Sequence, residues 1–343
     1  MVEKALLAGK LVCFLVGQTR MNLETTRVVE SRTQRSSPAY LDVVPKQKII
    51  RDQKTSIEGR EVSLLVKTYL PNTVIVEATV SLEDLFSGGL VLLKREILAA
   101  CRRTLQEYRC DPDFDEEYSV YCVSDYIVDP EVYLDLYGSR IATHLKNERI
   151  ELDEEEVQAT LQSGIKYGKD DLTIIDWDGA FLFDPKGDFD ENIELFEIAN
   201  YQLLRQRRLD AELDQRLSQA AMLLSSKEKW LFRSKEVRSA LKAIIQIRTQ
   251  LVLESASVDH NIKLIGDWYS ARLYNLIAKK LHLDDWAKMI SEKLDVLEDV
   301  YTMASDKFSV SFSTTLEFIL IGGWFILLIG WFGIFILDLY FRR

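Results

Sequence analysis

The chain has 343 residues, of which 47% are hydrophobic and 28% charged, and its 54 acidic and 43 basic side chains give a formal net charge of −11. This length allows one large or two ordinary domains with a sizeable core, and the negative charge disfavours a general nucleic-acid-binding protein. Six prolines and 15 glycines exclude a collagen-like or low-complexity chain.

Residues 1–60 form a mixed N-terminal region. Residues 11–16 are apolar enough for a strand, whereas residues 18–60 are polar and charged and predict a loop. The first residues lack the pattern of a secretory signal peptide, because Lys10 interrupts the apolar run and no small-residue cleavage site follows it. We therefore expect the bulk of the chain to remain on the side where it is synthesised, which is the cytoplasm or a mitochondrial matrix.

The cysteines and histidines show no metal-binding spacing. No C-x-x-C pair occurs, and the three histidines are scattered along the sequence. This pattern predicts neither a metal site nor another cofactor, and it favours a reducing compartment over a disulfide scaffold. The four cysteines are Cys13, Cys101, Cys110 and Cys122.

Residues 61–187 have the pattern of a small α+β domain. Residues 62–69 and 73–80 are β-rich runs separated by Pro71 and Asn72, which predicts a hairpin. Residues 82–108 have helical spacing that is interrupted at Gly88 and Gly89, and residues 118–123 predict a further strand. The pair Asp178–Gly179 lies between two short apolar runs and predicts a second hairpin, which ends the β-containing part.

Residues 188–313 predict an antiparallel helical domain. Its first helix runs from Asp188 or Asp190 to about Leu224, and its second and third helices begin near Ser234 and Asp259. Its last helix has apolar residues at alternating spacings of four and three, which is typical of a coiled coil or of a helical bundle. The pattern covers about two and a half heptads, so packing between two chains and packing within one chain are both open. The residues of this seam are Ile290, Leu294, Leu297, Tyr301, Ala304 and Phe308.

Residues 314–343 predict a transmembrane anchor with a short tail. Residues 318–337 contain no charged side chain, and a helix of that length spans about 30 Å, the thickness of a bilayer core. The sequence therefore predicts a single-pass integral membrane protein, and a bacterial and a mitochondrial inner membrane fit equally well. Glycine seven residues apart also allows close helix packing. Representative positions of the segment are Phe318, Gly323, Trp324, Gly330, Trp331 and Leu337.

One motif carries potential chemistry. Asp176 and Asp178 follow an apolar run in the order Asp-Trp-Asp-Gly, as in haloacid-dehalogenase-type phosphohydrolases, where the first aspartate attacks phosphorus and both help to bind Mg²⁺. That fold needs several later parallel strands, whereas here helices follow. A plain turn at Asp178–Gly179 therefore explains the residues, and phosphohydrolase chemistry is the alternative.

Three segments together resemble a known family: residues 170–184 (DDLTIIDWDGAFLFD), residues 196–214 (FEIANYQLLRQRRLDAELD), and the passage from KLDVL at 293–297 to LEFILI at 316–321. Their order is similar to that in the YagE-like family of domains of unknown function. This family contains the "required for meiotic nuclear division" and sporulation proteins of fungi and an animal mitochondrial inner-membrane relative, which supports organellar translation.

The resemblance covers residues 60–340. It implies an α/β part, a helical part and one transmembrane helix in a membrane-anchored protein that forms large complexes. It implies no catalytic residue. The polar positions that match the family's helix pattern imply a structural network of hydrogen bonds and ion pairs: Glu197, Asn200, Gln202, Arg208, Asp210 and Asp214.

The sequence as a whole predicts a non-enzymatic, membrane-anchored scaffold. We expect the lipid bilayer, further copies of the chain and an unidentified protein as its partners. A membrane-bound, Mg²⁺-dependent phosphohydrolase is the alternative function. A channel ranks behind both, because the apolar segment offers no polar stripe to line a pore.

Overall fold

The computed structural model describes residues 7–21, 23, 47–69, 72–225, 239–249 and 268–341. For 223–225, 304–316 and 335–340 it describes the backbone alone. Several predicted features lie outside the described residues: Pro71, the helix starts near Ser234 and Asp259, the side chains of Ala304, Phe308 and Leu337, and the terminal Arg342 and Arg343.

Eight strands form one mixed sheet, which confirms the α+β class. Their order is β2-β3-β4-β1-β5-β8-β7-β6, and β5 and β8 are the parallel pair among otherwise antiparallel neighbours. The strands are β1 Gly9–Thr19, β2 Gln47–Ile57, β3 Arg60–Tyr69, β4 Thr73–Leu82, β5 Cys110–Val123, β6 Gly164–Ile165, β7 Leu172–Ile175 and β8 Gly179–Phe183.

Strand β1 lies in the middle of the sheet, between β4 and β5. Its apolar run is continuous rather than alternating because both faces of the sheet are covered. Leu11 and Leu15 face one core cluster, whereas Val12 and Phe14 face the other, and all four are buried. The short strand predicted at 11–16 is therefore the centre of a longer one.

Strand β2 corrects the predicted loop at 18–60. Residues 47–57 pair along their whole length with β3, although they are polar and partly exposed. Charged residues are common on edge strands, where they oppose pairing with other chains. The sequence pattern of an edge strand thus differs little from that of a loop. The predicted hairpins are confirmed by the antiparallel pairs β3–β4 and β7–β8.

Helices cover both faces of the sheet. On one face Ile97 of α1 and Ile141 of α2 pack with the core, and on the other face Phe196 of α4 and Leu273 of α6 do so. The helices are α1 Leu90–Glu107, α2 Pro130–Leu145, α3 Glu154–Leu161, α4 Asp190–Ser225, α5 with 239–249 described, α6 Trp268–Lys280 and α7 Leu283–Phe341.

The chain divides into two compact units. The first consists of Met1–Leu209 and Glu254–Lys288 and contains the sheet. The second consists of Asp210–Leu253 and Met289–Arg343 and is helical where it is described. The long helices α4 and α7 each contribute to both units.

The described seam of α7 packs within the chain. Ile290, Leu294 and Leu297 are at most 1% exposed. Lys293 of α7 forms ion pairs with two aspartates of α4, and Arg248 of α5 forms ion pairs with two acidic residues of α7. Of the two interpretations of the seam, packing against preceding helices of the same chain therefore holds as far as Tyr301.

Candidate functional site

The Asp-Trp-Asp-Gly motif forms the turn between β7 and β8. The N–H of Asp176 donates to the carbonyl oxygen of Gly179 at 2.9 Å, which closes the hairpin. A Cβ at Gly179 would lie 2.8 Å from the carbonyl oxygen of Ser119 on β5, so a larger residue would force β8 away from its parallel neighbour. The motif therefore has a structural role: it closes the β7–β8 hairpin and allows β8 to pair with β5.

The Asp176 carboxylate is buried between two lysines. Its oxygens lie 3.3 Å from Nζ of Lys146 and 3.6 Å from Nζ of Lys280, and the residue is 7% exposed. Asp178 is half-buried, and burial raises its pKa. The hairpin is antiparallel, whereas the phosphohydrolase fold places this motif in a series of parallel strands. Among the described residues no group of three or more His, Cys, Asp or Glu side chains is arranged to hold a metal ion.

The six polar residues singled out on the helices lie at separate places. Asn200 donates to the carbonyl oxygen of Phe196 within its own helix, at 2.9 Å. Gln202 accepts from the hydroxyl group of Tyr274 at 2.5 Å, which links α4 to α6. These two contacts share no partner.

The other helix positions face charged groups. Arg208 approaches Asp111 of β5 at 3.9 Å, whereas Asp210 and Asp214 each lie 2.6 Å from Nζ of Lys293. Glu197 contacts Lys67 of the sheet. Only Asp210 and Asp214 meet at one partner, so the structure brings together two of the six.

A buried charge cluster lies between the sheet and α4. Nζ of Lys67 on β3 lies 2.5 Å from Glu77 on β4 and 2.8 Å from Glu197 on α4. The side chains of Lys67 and Glu197 are 8% and 0% exposed. Neither Lys67 nor Glu77 is among the residues that the sequence pattern indicates. The available signal was a lysine within the apolar run of β3, since a charge at such a position needs a partner.

The carboxyl group of Glu197 is incompletely hydrogen-bonded in this cluster. One ammonium group faces two carboxylates, and Oε2 of Glu197 is buried without a hydrogen-bond partner. Burial, together with Glu77 and Glu194, raises the pKa of Glu197 to about 8, although Lys67 acts in the opposite direction. The pKa of Lys67 is raised because its two carboxylates outweigh the effect of burial. Burial therefore favours the protonated form of Glu197 more than water does.

This proton predicts a pH dependence of stability. The folded state binds it more tightly than the unfolded state, in which Glu197 has its ordinary pKa near 4.5. We expect the Glu197 contribution to the free energy of unfolding to decrease as the pH rises from about 4.5 to about 8. Denaturant titrations across this range should show a smaller decrease for Glu197→Gln than for the wild type. Equal slopes for the two proteins would contradict the assignment.

The C-terminal part of α7 is the most exposed apolar segment among the described residues. The stretch Glu317–Ile334 has a mean hydropathy of 2.0, and none of it is buried against the rest of the chain. Trp324, Ile326 and Leu327 are each more than 70% exposed. This single described helix segment is long and apolar enough to cross a membrane, by length and composition.

The comparisons with known proteins identify the N-terminal part of the chain. Residues 8–190, more than half of the chain, match the family described as "Uncharacterized protein MJ0711, N-terminal domain". The chain is also similar to "Uncharacterized protein MJ0711" of Methanocaldococcus jannaschii, with 28% identity over 313 residues, which cover 91% of this chain and 94% of the relative. No solved structure matches the chain.

These matches correct the resemblance drawn from sequence segments. The assignment to the YagE-like, meiotic-nuclear-division family is wrong, because the family match over 8–190 and the relative matching along nearly the whole chain both point to MJ0711. Short segments such as the β7–β8 turn and the charged face of α4 follow from hairpin and helix chemistry, so unrelated families can share them. The chain belongs to the MJ0711 N-terminal domain family.

Proposed function

We propose that this protein is a membrane-anchored, non-enzymatic scaffold. In this proposal the apolar end of α7 spans a lipid bilayer, and the two compact units bind a protein partner or further copies of the chain beside it. The observation that carries the proposal is that no part of Glu317–Ile334 is buried against the rest of the chain. Apolar side chains of this size are stable in lipid, whereas in water they cost about 25 cal/mol per Å² of apolar surface.

The contacts of Asp176 support a protein without enzymatic activity, because Asp176 would be the nucleophile of the phosphohydrolase motif. The carboxylate of Asp176 pairs with two lysines, and its backbone N–H closes a hairpin, so the residue already has a structural role. The phosphohydrolase alternative remains a prediction that Asp176→Asn tests. Loss of phosphatase activity without loss of the folded state would favour that alternative over the scaffold.

The anchor is tested by extraction of membranes. We expect the full-length chain, expressed in bacteria, to remain in the membrane pellet after washing with alkaline carbonate. A variant with Ile326→Lys and Leu327→Lys should be released from the membrane pellet into the soluble fraction, because a lysine at the centre of a spanning helix costs about 2.5–3.5 kcal/mol.

A matched control uses the same change at exposed positions of α7 outside the apolar stretch. Val296 and Met303 are 51% and 67% exposed, and Val296→Lys with Met303→Lys should stay in the pellet. Release of the wild type by carbonate would refute the anchor. Release of both variants alike would show that added charge, rather than its position, is responsible.

The scaffold is tested by the native mass of the detergent-solubilised chain. We expect a particle larger than one chain that contains either another protein or further copies. A particle with the mass of one chain and its detergent, isolated under mild conditions from its native membrane, would contradict the scaffold and leave the anchor unaffected.

A further inference from the structure

Helix α6 exposes a basic and aromatic face. The guanidinium group of Arg272 lies 4.4 Å from the centroid of the Trp268 ring, and this ring is 68% exposed. The helix contains no acidic residue, and neither Arg272 nor Lys279 forms an ion pair with a described residue. Four exposed residues recur at spacings of four, three and four and therefore share one side of the helix: Trp268, Arg272, Asn275 and Lys279.

Helix α2 exposes an apolar stripe with acidic residues beside it. Val128, just before the helix, and Val132 and Leu136 within it are 47%, 42% and 52% exposed and recur every four residues. Such a stripe is typical of a surface that binds another protein. The exposed acidic residues of this segment are Asp125, Asp129, Glu131 and Asp135, of which Asp129 and Glu131 form ion pairs with Lys166.

The α2 face and the α6 face lie on opposite sides of the sheet. Helix α2 packs over β7 and β8 through Ile141 and Leu145, which belong to one core cluster. Helix α6 packs over β7 through Leu273 and Ile277, which belong to the other. Both helices are part of the first compact unit. One neighbouring molecule therefore cannot cover both faces, whereas two neighbours can cover one face each.

The two faces complement each other in charge and in apolar surface. Arg272 and Lys279 oppose the acidic residues of the α2 face, and the Trp268 ring matches the apolar stripe there. Aromatic residues and arginine are enriched in protein interfaces, and opposite charges across an interface favour the correct partner. Contact between two α6 faces, or between two α2 faces, would bring like charges together. Arg140 is the exposed basic residue of α2 and lies beyond the stripe.

We propose that the α2 face of one copy of this chain binds the α6 face of a second copy. This inference rests on the scaffold function proposed above and names a further copy of the chain as the partner. The contact is heterologous, because it joins two different surfaces. Each added copy leaves one α2 face and one α6 face unoccupied, so association continues into a chain of copies or closes into a ring.

The proposal is tested by reversing the charges of each face in the full-length chain. Arg272→Glu with Lys279→Glu makes the α6 face acidic, and Glu131→Lys with Asp135→Lys makes the α2 face basic. These four side chains are exposed, so both variants should keep the fold, which circular dichroism checks. In mild detergent, light scattering should give particles of more than two copies for the wild type. We expect each variant alone to associate at least about tenfold more weakly, because like charges then face each other.

An equimolar mixture of the two variants tests the pairing of the faces directly. The acidic α6 face of the first variant fits the basic α2 face of the second, and their unchanged faces fit each other as in the wild type. We therefore expect the mixture to form particles of more than two copies again. A single chain that carries all four substitutions should also associate, because its two faces have exchanged their charges.

The matched control reverses two exposed basic residues elsewhere on the sheet. Lys54→Glu with Arg60→Glu changes the net charge by the same amount as the α6 variant does. These residues lie on β2 and β3, at the end of the strand order opposite to β7 and β6. We expect this control to associate as the wild type does. An equal loss in the control would show that net charge, rather than the α6 face, governs association, and would overturn the proposal.

The remaining outcomes separate this inference from the scaffold function. Unchanged association of either reversed variant, or a mixture that fails to associate, would overturn the pairing of α2 with α6. A wild-type particle of two copies, or one that holds a single copy with another protein, would also overturn it and leave the scaffold function intact. A particle with the mass of one chain would contradict both.

Discussion

Replacing Lys67 by methionine is expected to lower the free energy of unfolding by about 3–5 kcal/mol, the usual effect of removing one partner from a buried ion pair. The Lys67 ammonium group is the positive charge that faces Glu77 and Glu197, and its side chain is 8% exposed. Methionine has nearly the same volume as lysine. The lost free energy of unfolding therefore results from removal of the charge and not from a cavity. The measurement is a urea titration of the full-length chain in detergent, followed by circular dichroism.

The control for this prediction is Lys54→Met. Lys54 also pairs with a glutamate across neighbouring strands, but that pair is about 70% exposed on both sides, and such pairs contribute little. We expect its effect to stay within about 0.5 kcal/mol. A loss below about 1 kcal/mol for Lys67→Met would show that water reaches the cluster, and the raised pKa of Glu197 would then also be wrong.

Replacing Phe181 by alanine is expected to cost about 3–5 kcal/mol as well, for a different reason. Phe181 is 0% exposed in the middle of β8, and its ring lies 5.0 Å from Tyr121, 5.8 Å from Phe183 and 6.1 Å from Phe86, measured between ring centroids. Alanine would leave a void at the point where the parallel strands β5 and β8 meet. The same urea titration measures the loss.

Trp177→Ala is the comparison for Phe181→Ala, because it removes an aromatic ring from the same hairpin. Trp177 is 41% exposed, so we expect its loss to remain below about 1 kcal/mol. Similar losses for the two variants would mean that the hairpin, rather than the core beneath it, limits stability.

The parts of the fold that follow from local sequence were predicted correctly. The Asp178–Gly179 turn and the hairpin over 62–80 need only neighbouring residues, and α4 has helical spacing along its length. The position of β1 in the middle of the sheet cannot be predicted from neighbouring residues. It pairs with β5 across about a hundred residues of chain, and its continuous apolar run fits a buried helix as well as a central strand.

The candidate sites also depend on contacts between residues that are distant in sequence. Glu197 was selected from the helix pattern, but its role depends on Lys67 and Glu77, which reach it from two strands far away in the sequence. Lys94 was not selected, since a lysine in an amphipathic helix is usually exposed. Lys94 is buried and donates to Asn147, a residue that follows α2, so its position could not be predicted before α1 and α2 were placed on the sheet.

The unbroken course of α7 has a mechanical consequence. The helix is continuous over 59 residues, about 88 Å. The directions in which side chains of its apolar end face are therefore fixed relative to those of its packed end. Inserting one residue between Tyr301 and Glu317 would rotate everything beyond it by about 100°, whereas inserting seven would nearly restore the original phase.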